Sequence, residues 1–186
     1  LTVVHALGMM LIVFSVTYIF PIGTSLIYQD GTLIDFVLAM VMTFAVGCLM
    51  WMLTRHNKGE LSIRHGYFLV VMMWTAMPAF ATLPLLLVTN GLSFTDAYFE
   101  TMSGMTTTGA TVLAGLDILP PAINLWRHEL VWLGGMGIIV LAVAILPLLG
   151  VGGRQLYKAE TPGPMKDSTL TPRITETARN LWLGYL

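Results

Sequence analysis

The stretch Thr106-Thr107-Thr108-Gly109-Ala110-Thr111 is a run of small polar residues between two long apolar segments. Directly before it, residues 93–105 are predicted to form a helix too short to cross a bilayer, because about a dozen residues rise only about 18 Å. A polar loop at membrane depth is tolerated only where protein buries it or where it lines a water-filled path. The stretch therefore predicts one wall of an ion selectivity filter, whose backbone carbonyls replace the water shell of a monovalent cation.

The composition is that of a membrane protein: 56% of the residues are hydrophobic, 10% are charged and the mean hydropathy is +0.78. A soluble globular domain carries about 25% charged residues. The net charge of -1 gives no indication of nucleic acid, and no nucleic-acid partner is expected. Cys48 is the single cysteine and lies in an apolar run, which excludes a disulfide framework and a cysteine-rich metal site.

Four segments are apolar and long enough to span a bilayer, and they predict an all-α integral membrane protein. They are residues 2–28, 33–53, 66–88 and 123–149. The first two are separated by Gln29-Asp30-Gly31-Thr32, which predicts a tight polar turn. Pro78 and Pro84 lie inside the third segment, where we expect a bend and neighbours that satisfy the freed backbone carbonyls.

The elements around the polar loop also have recognisable boundaries. Ser93, with Asp96 three residues later, resembles a capping box and predicts the start of the short helix. The fourth segment contains Gly134-Gly135-x-Gly137, and such small residues let helix backbones approach closely. Further along, Thr171-Pro172 is typical of the N-cap and first position of another helix. A span, a capped short helix, a loop and a second span together favour a pore loop over a surface loop.

Basic residues predict how the chain is oriented in the membrane. Those in the second connection and after the fourth segment are Arg55, Lys58, Arg64, Arg154, Lys158, Lys166, Arg173 and Arg179. Four crossings with a re-entrant loop put all of them on one face, which we assign to the cytoplasm, and leave Arg127 on the other. Acidic residues near the outer face are expected to gather cations, and ordinary solvated loop acids are the equally good alternative for each. They are Asp30, Asp35, Asp96, Glu100 and Asp117.

The candidate site consists mainly of the backbone carbonyls of Thr107, Thr108, Gly109 and Ala110, which we predict to bind potassium. Threonine is stiff and favours extended backbone, so we expect these carbonyls to lie in a line. Gly109 can adopt a positive φ that other residues resist. The Thr107 hydroxyl is expected to add an oxygen at the inner mouth, and the lack of charged ligands favours a monovalent ion. The simpler alternative is a loop whose threonines and glycine only cap helices.

Three stretches resemble the Trk/Ktr/HKT family of potassium transporters. They are Phe99-Glu100-Thr101-Met102-Ser103-Gly104-Met105-Thr106-Thr107-Thr108-Gly109-Ala110-Thr111, Trp132-Leu133-Gly134-Gly135-Met136-Gly137-Ile138-Ile139-Val140 and Tyr157-Lys158-Ala159-Glu160-Thr161-Pro162-Gly163-Pro164. Residues 107–111 stand where potassium channels place the filter sequence TVGYG. The resemblance covers nearly the whole chain and is most specific over residues 99–164, whereas the first two spans are similar only in length and position.

The resemblance implies two extra transmembrane helices in residues 1–54, a cytoplasmic connection at 55–65 and one span–pore helix–filter loop–span repeat at 66–150. Residues 151–186 are then a cytoplasmic loop and the start of a second repeat. The family builds its pore from four such repeats in one chain, so we expect this chain to be the N-terminal part of a longer polypeptide and to contribute one quarter of the filter.

The same resemblance implies a function and partners. The function is potassium uptake across the bacterial cytoplasmic (inner) membrane, with potassium as the transported substrate and no cofactor in this chain. The implied partners, besides membrane lipid, are a cytosolic nucleotide-binding regulatory ring that docks on the inner loops and a second copy of the complete subunit in a homodimer.

Enzyme motifs are incomplete in this sequence, and no enzymatic activity is predicted. Trp132 occupies the position at which a zinc protease with the pair His128-Glu129 needs its second histidine. Ser103 lacks the preceding glycine of a G-x-S-x-G elbow, and no P-loop motif occurs. Two alternatives to the transporter stay open: a non-conducting membrane scaffold subunit, and a homotetrameric cation channel in which four copies each contribute one loop.

Overall fold

The computed structural model describes residues 1–55, 63–89, 91–145, 180 and 183–185, and the regular structure within them is entirely helical. The helices are α1 (Thr2–Thr17), α2 (Ile19–Tyr28), α3 (Leu33–Thr54), α4 (Ile63–Val88), α5 (Phe94–Met105) and α6 (Pro121–Ile145), with a 3-10 turn at Leu116–Ile118. The all-α prediction is therefore confirmed. The chain divides into two compact units, Leu1–Val131 and Trp132–Leu186, with the boundary inside α6.

Three stretches of the described residues are long and apolar enough to cross a membrane: Thr2–Tyr28, Leu33–Thr54 and His65–Val88. Large apolar side chains along them are exposed rather than buried, among them Val13 at 65% and Ile34 at 77%. Such exposure is unfavourable in water and is expected where lipid or further protein covers the helix. α6 has 25 residues, which also suffices for a span, so the fourth predicted crossing stays a prediction supported by helix length.

The first predicted span is two helices rather than one, because α1 ends at Thr17 and α2 begins at Ile19. Pro21 explains the interruption, since proline has no N–H to donate to the carbonyl of the residue four positions earlier, which is Thr17. The Thr17 hydroxyl donates to the Phe14 carbonyl at 2.7 Å, so this turn is fastened by a side chain. The predicted span over residues 2–28 is confirmed as an apolar stretch of membrane-crossing length, with this local interruption inside it.

α1 and α3 approach each other closely at a pair of glycines. A β-carbon at Gly8 would lie 2.9 Å from the Gly47 carbonyl oxygen, and one at Gly47 would lie 3.0 Å from the Gly8 oxygen. Small residues let helix backbones meet in a membrane, where the gain comes from close van der Waals packing. His5 and Thr54 add a hydrogen bond of 3.1 Å between the same two helices.

An aromatic cluster holds the first half of α6 against α1 and α3. Trp126 is fully buried and stacks on Tyr18 with ring centroids 4.4 Å apart. The centroids of the tilted Phe14 ring and the edge-on Phe36 ring lie 5.9 and 6.2 Å from that of Trp126. The Trp126 Nε1–H donates to the Ala81 carbonyl of α4 at 3.1 Å. A buried indole therefore finds both apolar neighbours and the acceptor that it needs.

At Pro84 in α4, a neighbouring side chain satisfies the freed backbone carbonyl, as expected. Pro84 cannot donate to the Phe80 carbonyl, and the Tyr18 hydroxyl donates to that carbonyl instead, at 3.0 Å. At the other proline, the Pro78 carbonyl accepts the Thr101 hydroxyl of α5 at 2.9 Å. Neighbouring helices thus use polar side chains to satisfy the backbone of the proline-containing helix, which also fixes where α5 lies on α4.

Asp30 organises the predicted turn between α2 and α3. Its carboxylate accepts hydrogen bonds from the Ser25 hydroxyl at 2.6 Å, the Thr32 N–H at 3.1 Å and the Thr32 hydroxyl at 2.8 Å. Its second oxygen accepts the N–H of Ala122 at 2.9 Å, one of the donors that the first turn of α6 leaves free. Gln29 and Gly31 have φ values of 52° and 81°, so the predicted tight turn is confirmed.

In the unit Trp132–Leu186, the rings of Trp132 and Tyr185 stack with centroids 6.5 Å apart. Several predictions fall on residues that lie outside the described part of the chain. These are most of the cytoplasmic connection at 55–65, the last four residues of the fourth crossing, most of the loop from 151 onwards and the helix start at Thr171-Pro172.

Candidate functional site

The short helix α5 begins where the sequence predicts. Ser93 is its N-cap, and the Ser93 hydroxyl accepts the Asp96 N–H at 3.1 Å. The Asp96 carboxylate returns the interaction by accepting the Ser93 hydroxyl at 2.7 Å. With 12 residues α5 rises about 18 Å, which is too short for a span. It packs against α6 through Gly104, where an added β-carbon would lie 3.4 Å from the Leu130 Cβ.

α5 ends in a Schellman motif. The Thr107 N–H donates to the Gly104 carbonyl and the Thr108 N–H donates to the Ser103 carbonyl, both at 2.9 Å. In this motif the residue after the C-cap is left-handed, and Thr107 has a φ of 57°. Glycine is the usual residue there, because a β-branched side chain resists positive φ. The expected extended backbone at Thr107 was therefore wrong: the end of the helix overrides the preference of threonine.

Gly109 has a φ of 75°, which confirms the prediction that it takes a conformation other residues resist. No described heavy atom lies within 4 Å of the place where a β-carbon would be, so backbone conformation rather than space requires glycine here. In the described part of the chain, no hydrogen-bond donor reaches the carbonyl oxygens of Thr107, Thr108 or Gly109. Residues 107–112 are also exposed, so the described part of the chain does not cover the loop.

The Ala110 carbonyl differs from its three predecessors. It accepts the Ser103 hydroxyl at 2.6 Å, and Ser103 is buried. One of its two lone pairs is therefore occupied by the pore helix, and the other remains for an ion. Its assignment as an ion ligand stays a prediction, as do those of Thr107, Thr108 and Gly109.

Glu100 fastens the outer part of the loop to α5. Its carboxylate accepts the Thr111 hydroxyl at 3.0 and 2.9 Å and the Val112 N–H at 3.0 Å. The Arg127 guanidinium of α6 approaches the same carboxylate, with Nε at 2.8 Å and Nη2 at 2.7 Å from Oε1. The Glu100 side chain is only 3% exposed, so the expectation that it gathers cations at the outer surface was wrong.

The other predicted outer acids have different surroundings. Asp96 and Asp35 are half-buried and Asp117 is exposed, whereas Asp30 binds the turn and α6 as described above. Burial of the Asp30 carboxyl raises its pKa, but the hydrogen bonds from Ser25, the Ala122 N–H and Thr32 outweigh that effect, and the net pKa lies below the ordinary value. Asp30 therefore stabilises the turn between α2 and α3 and its contact with α6.

The sequence also predicts that Arg127 and Glu129 anchor the outer end of the fourth span or pair with a neighbouring repeat. Arg127 instead pairs with Glu100 inside the same repeat. Glu129 is buried, and neither carboxylate oxygen has a hydrogen-bond partner within the part of the chain that the structure describes. Its pairing with a neighbouring repeat stays a prediction.

Sequence reasoning missed the residues that support the loop, namely Ser103, Glu100 and Arg127. One signal was available: Ser103 and Glu100 are three residues apart on a predicted helix, so they share a face. The role of Arg127 had no local signal, because it is 27 residues from Glu100. Among the described residues there is no group of three histidine, cysteine or acidic side chains able to hold a metal ion.

Comparison with known proteins places these features in a family. A family model described as TrkH, cation transport protein, matches residues 33–186. The Trk system potassium uptake protein TrkH of Halomonas elongata is 52% identical over 98% of this chain, and that of Vibrio parahaemolyticus is 50% identical over 100% of it. The chain spans 38% of the length of each of these relatives.

A solved structure agrees with these relatives. The crystal structure of the potassium transporter TrkH from Vibrio parahaemolyticus matches 98% of this chain with a TM-score of 0.81 and 44% sequence identity. The match covers 36% of that chain.

Proposed function

Because the chain belongs to the TrkH family of cation transport proteins, we propose that it is part of the ion-translocating subunit of a Trk-type potassium uptake system. The family and the three membrane-length helices make it a multi-pass protein of the bacterial cytoplasmic membrane. Potassium is the proposed substrate, since the relatives are potassium uptake proteins. Residues 66–150 are the proposed span–pore helix–span repeat, preceded by the helix pair in 1–54.

Within this repeat, the backbone carbonyls of residues 107–110 are the proposed ion ligands. The supporting observation is that the carbonyls of Thr107, Thr108 and Gly109 are exposed and meet no donor among the described residues. A carbonyl oxygen that lacks a donor is available to replace one water of a cation's hydration shell. Thr107 is a non-glycine residue with a positive φ of 57°, and such strain clusters at functional sites when the surrounding structure maintains it.

The kind of ligand explains the preference for a monovalent ion. Carbonyl oxygens are neutral dipoles, so they bind a hard cation without holding it as strongly as carboxylates would. The carboxylate that bonds to the loop, Glu100, is already paired with the Arg127 guanidinium. A transported ion must also leave, and a site without net charge permits this. One chain of this length contributes one strand of oxygens, so the remaining strands come from further repeats.

Two further partners follow from the resemblance and belong to this proposal. A cytosolic nucleotide-binding ring would dock on the connections at 55–65 and 151–171, which carry most of the basic residues. The complete subunit would form a homodimer. Both parts of the proposal concern the complete protein rather than the pore loop, and each can fail without affecting the filter assignment.

The filter assignment is tested by replacing Gly109 with serine in the complete protein. Serine at a φ of 75° is strained by about 1–2 kcal/mol, and relief of that strain turns a carbonyl away from the ion path. We expect the ratio of potassium to sodium uptake to fall about tenfold, which corresponds to about 1.4 kcal/mol of lost discrimination. Isotope flux in cells that depend on this transporter measures the ratio.

Gly31→Ser is the matched control, because Gly31 also has a positive φ of 81° and also has no heavy atom near its missing β-carbon. It lies in the turn between α2 and α3, away from the loop, and should change protein amount without changing ion preference. A Gly109→Ser protein that inserts normally and keeps the parental flux ratio would refute the filter assignment.

A further inference from the structure

We infer that Glu100 and Arg127 are positioning residues that set ion selectivity by fixing the outer end of the filter loop, without contacting the ion. This inference rests on the proposed filter function of residues 107–110. Neither the composition nor any sequence motif indicates a role for this buried ion pair. Thr111, which bonds to Glu100, is the connection between the pair and the loop.

The loop is fastened at its two ends, which we call the inner and outer anchors, and the Ser103 hydroxyl also donates to the Ala110 carbonyl between them. The inner anchor consists of the hydrogen bonds that the Thr107 and Thr108 N–H groups donate to carbonyls in the last turn of α5. The outer anchor consists of the hydrogen bonds that the Glu100 carboxylate accepts from the Thr111 hydroxyl and the Val112 N–H. Gly109 lies between them, so its two peptide planes are the least constrained part of the loop. Their orientation depends on both anchors staying in place.

The geometry of Glu100 excludes a direct role in binding a passing ion. Its two oxygens accept the Thr111 hydroxyl, the Val112 N–H and the Arg127 guanidinium, and its side chain is 3% exposed. The adjacent guanidinium compensates its charge at 2.7 Å, so the pair adds little net field to the ion path. Glu100 therefore acts on the backbone, where it holds a hydroxyl and an N–H in fixed positions.

Arg127 has two functions in this arrangement. Its Nε and Nη2 fix the carboxylate in one orientation, and Nη2 also approaches the Thr111 Oγ1 at 3.4 Å. It is on α6, whose first half is held by the buried Trp126. The outer anchor is therefore tied to two helices, α5 and α6, and a local movement of the loop would have to break charge-assisted bonds.

Loss of the outer anchor is expected to change ion selectivity rather than the rate of potassium transport. When the outer anchor is lost, the peptide planes around Gly109 can rotate, and carbonyls free to move can close around a smaller cation as well as a larger one. The competing explanation is that the pair only holds α5 against α6. That explanation predicts less protein in the membrane, with an unchanged flux ratio in the protein that is inserted.

The experiment is a double-mutant cycle in the complete protein, made of Glu100→Gln, Arg127→Gln and the two combined. For each, the potassium-to-sodium flux ratio is normalised to the amount of inserted protein. Each single variant should lower the ratio about tenfold, which is about 1.4 kcal/mol of differential binding. The double variant should be no worse than the more severe single variant, because both changes remove the same interaction.

Two variants of Thr111 provide a readout that a purely structural pair would not change. Thr111→Ser keeps the hydroxyl and should retain the parental ratio, whereas Thr111→Val keeps the shape, removes the hydroxyl and should lower the ratio as Glu100→Gln does. Glu129→Gln is the matched control, because Glu129 is also a buried acid yet makes no described bond to the loop. It should retain the parental ratio.

The outcomes separate this inference from the proposed function. If Gly109→Ser lowers the flux ratio but Glu100→Gln and Thr111→Val do not, the positioning role is wrong and the filter assignment stands. If none of the three lowers it, both are wrong. Effects of Glu100→Gln and Arg127→Gln that multiply in the double variant would also overturn the inference, since they would show two independent contributions.

Discussion

Two loops of this protein are each organised by one carboxylate, and the two carboxylates are compensated differently. Asp30 holds the turn between α2 and α3 and accepts the Ala122 N–H from the first turn of α6. Glu100 holds the outer end of the loop after α5 and accepts hydrogen bonds from the Arg127 guanidinium, which is also on α6. Among the described residues, Asp30 thus meets only neutral donors, whereas Glu100 is almost fully buried against a full positive charge.

The difference follows from where each loop lies. Asp30 is at the end of a helix pair and only half-buried, so neutral donors and solvent suffice for its charge. Glu100 is inside a short helix packed between α4 and α6, where an uncompensated charge would be costly. In the proposed function the loop stays open to an ion, so its own side chains cannot cover it. The loop must then be supported by the neighbouring helices α5 and α6, which carry the ion pair.

The largest expected effect comes from removing the cation from the buried pair. Arg127→Met keeps the apolar stem but leaves the Glu100 charge buried without its partner, which should destabilise the protein by about 3–5 kcal/mol. Asp30→Ala removes hydrogen bonds from neutral donors and should cost about 1.5–3 kcal/mol. Denaturation midpoints of the complete protein in detergent rank the two changes.

The companion variant for this ranking adds Glu100→Gln to Arg127→Met. Since Gln carries no charge, the double variant should recover part of the stability that Arg127→Met loses. Equal destabilisation by Arg127→Met and Asp30→Ala would contradict the difference between the two loops. So would an Arg127→Met protein that Glu100→Gln makes still less stable.

A smaller effect is expected from pH, and it concerns Asp30. Because the hydrogen bonds hold its pKa below the ordinary value of about 3.9, its stabilising effect is present above that value and is lost as the pH falls through the folded-state pKa. The stability of the parental protein between pH 5 and pH 3 should therefore fall more steeply than that of Asp30→Asn, which has no proton to bind. Parallel pH profiles would contradict the structural role of this carboxylate.

How well the sequence predicts each loop depends on how local its supports are. The Asp30 turn and the Ser93 cap involve neighbours within a few positions, and both were predicted. The interruption at Tyr18 had a local cause in Pro21, although the long apolar run concealed it. The positive φ of Thr107 goes against the preference of threonine, so only the complete end of α5 explains it.

Contacts between distant residues could not be predicted in this way. Glu100 and Arg127 are 27 positions apart, and Asp30 and Ala122 are 92 apart. Each depends on how α6 packs, which is decided by the buried Trp126 and its aromatic neighbours rather than by any motif. The loop that carries the proposed function was recognisable from its polar residues and membrane context, whereas its supports required the fold.

The most direct test of the filter assignment is to locate a monovalent cation at the loop. Crystals of the complete protein in thallous salt, a heavy substitute for potassium, would give anomalous density at any ordered ion. We expect a peak coordinated by the carbonyl oxygens of Thr107, Thr108 and Gly109, and its loss in the Gly109→Ser variant. Ordered thallium elsewhere in the pore, with these carbonyls uncoordinated in the parental protein, would contradict the assignment.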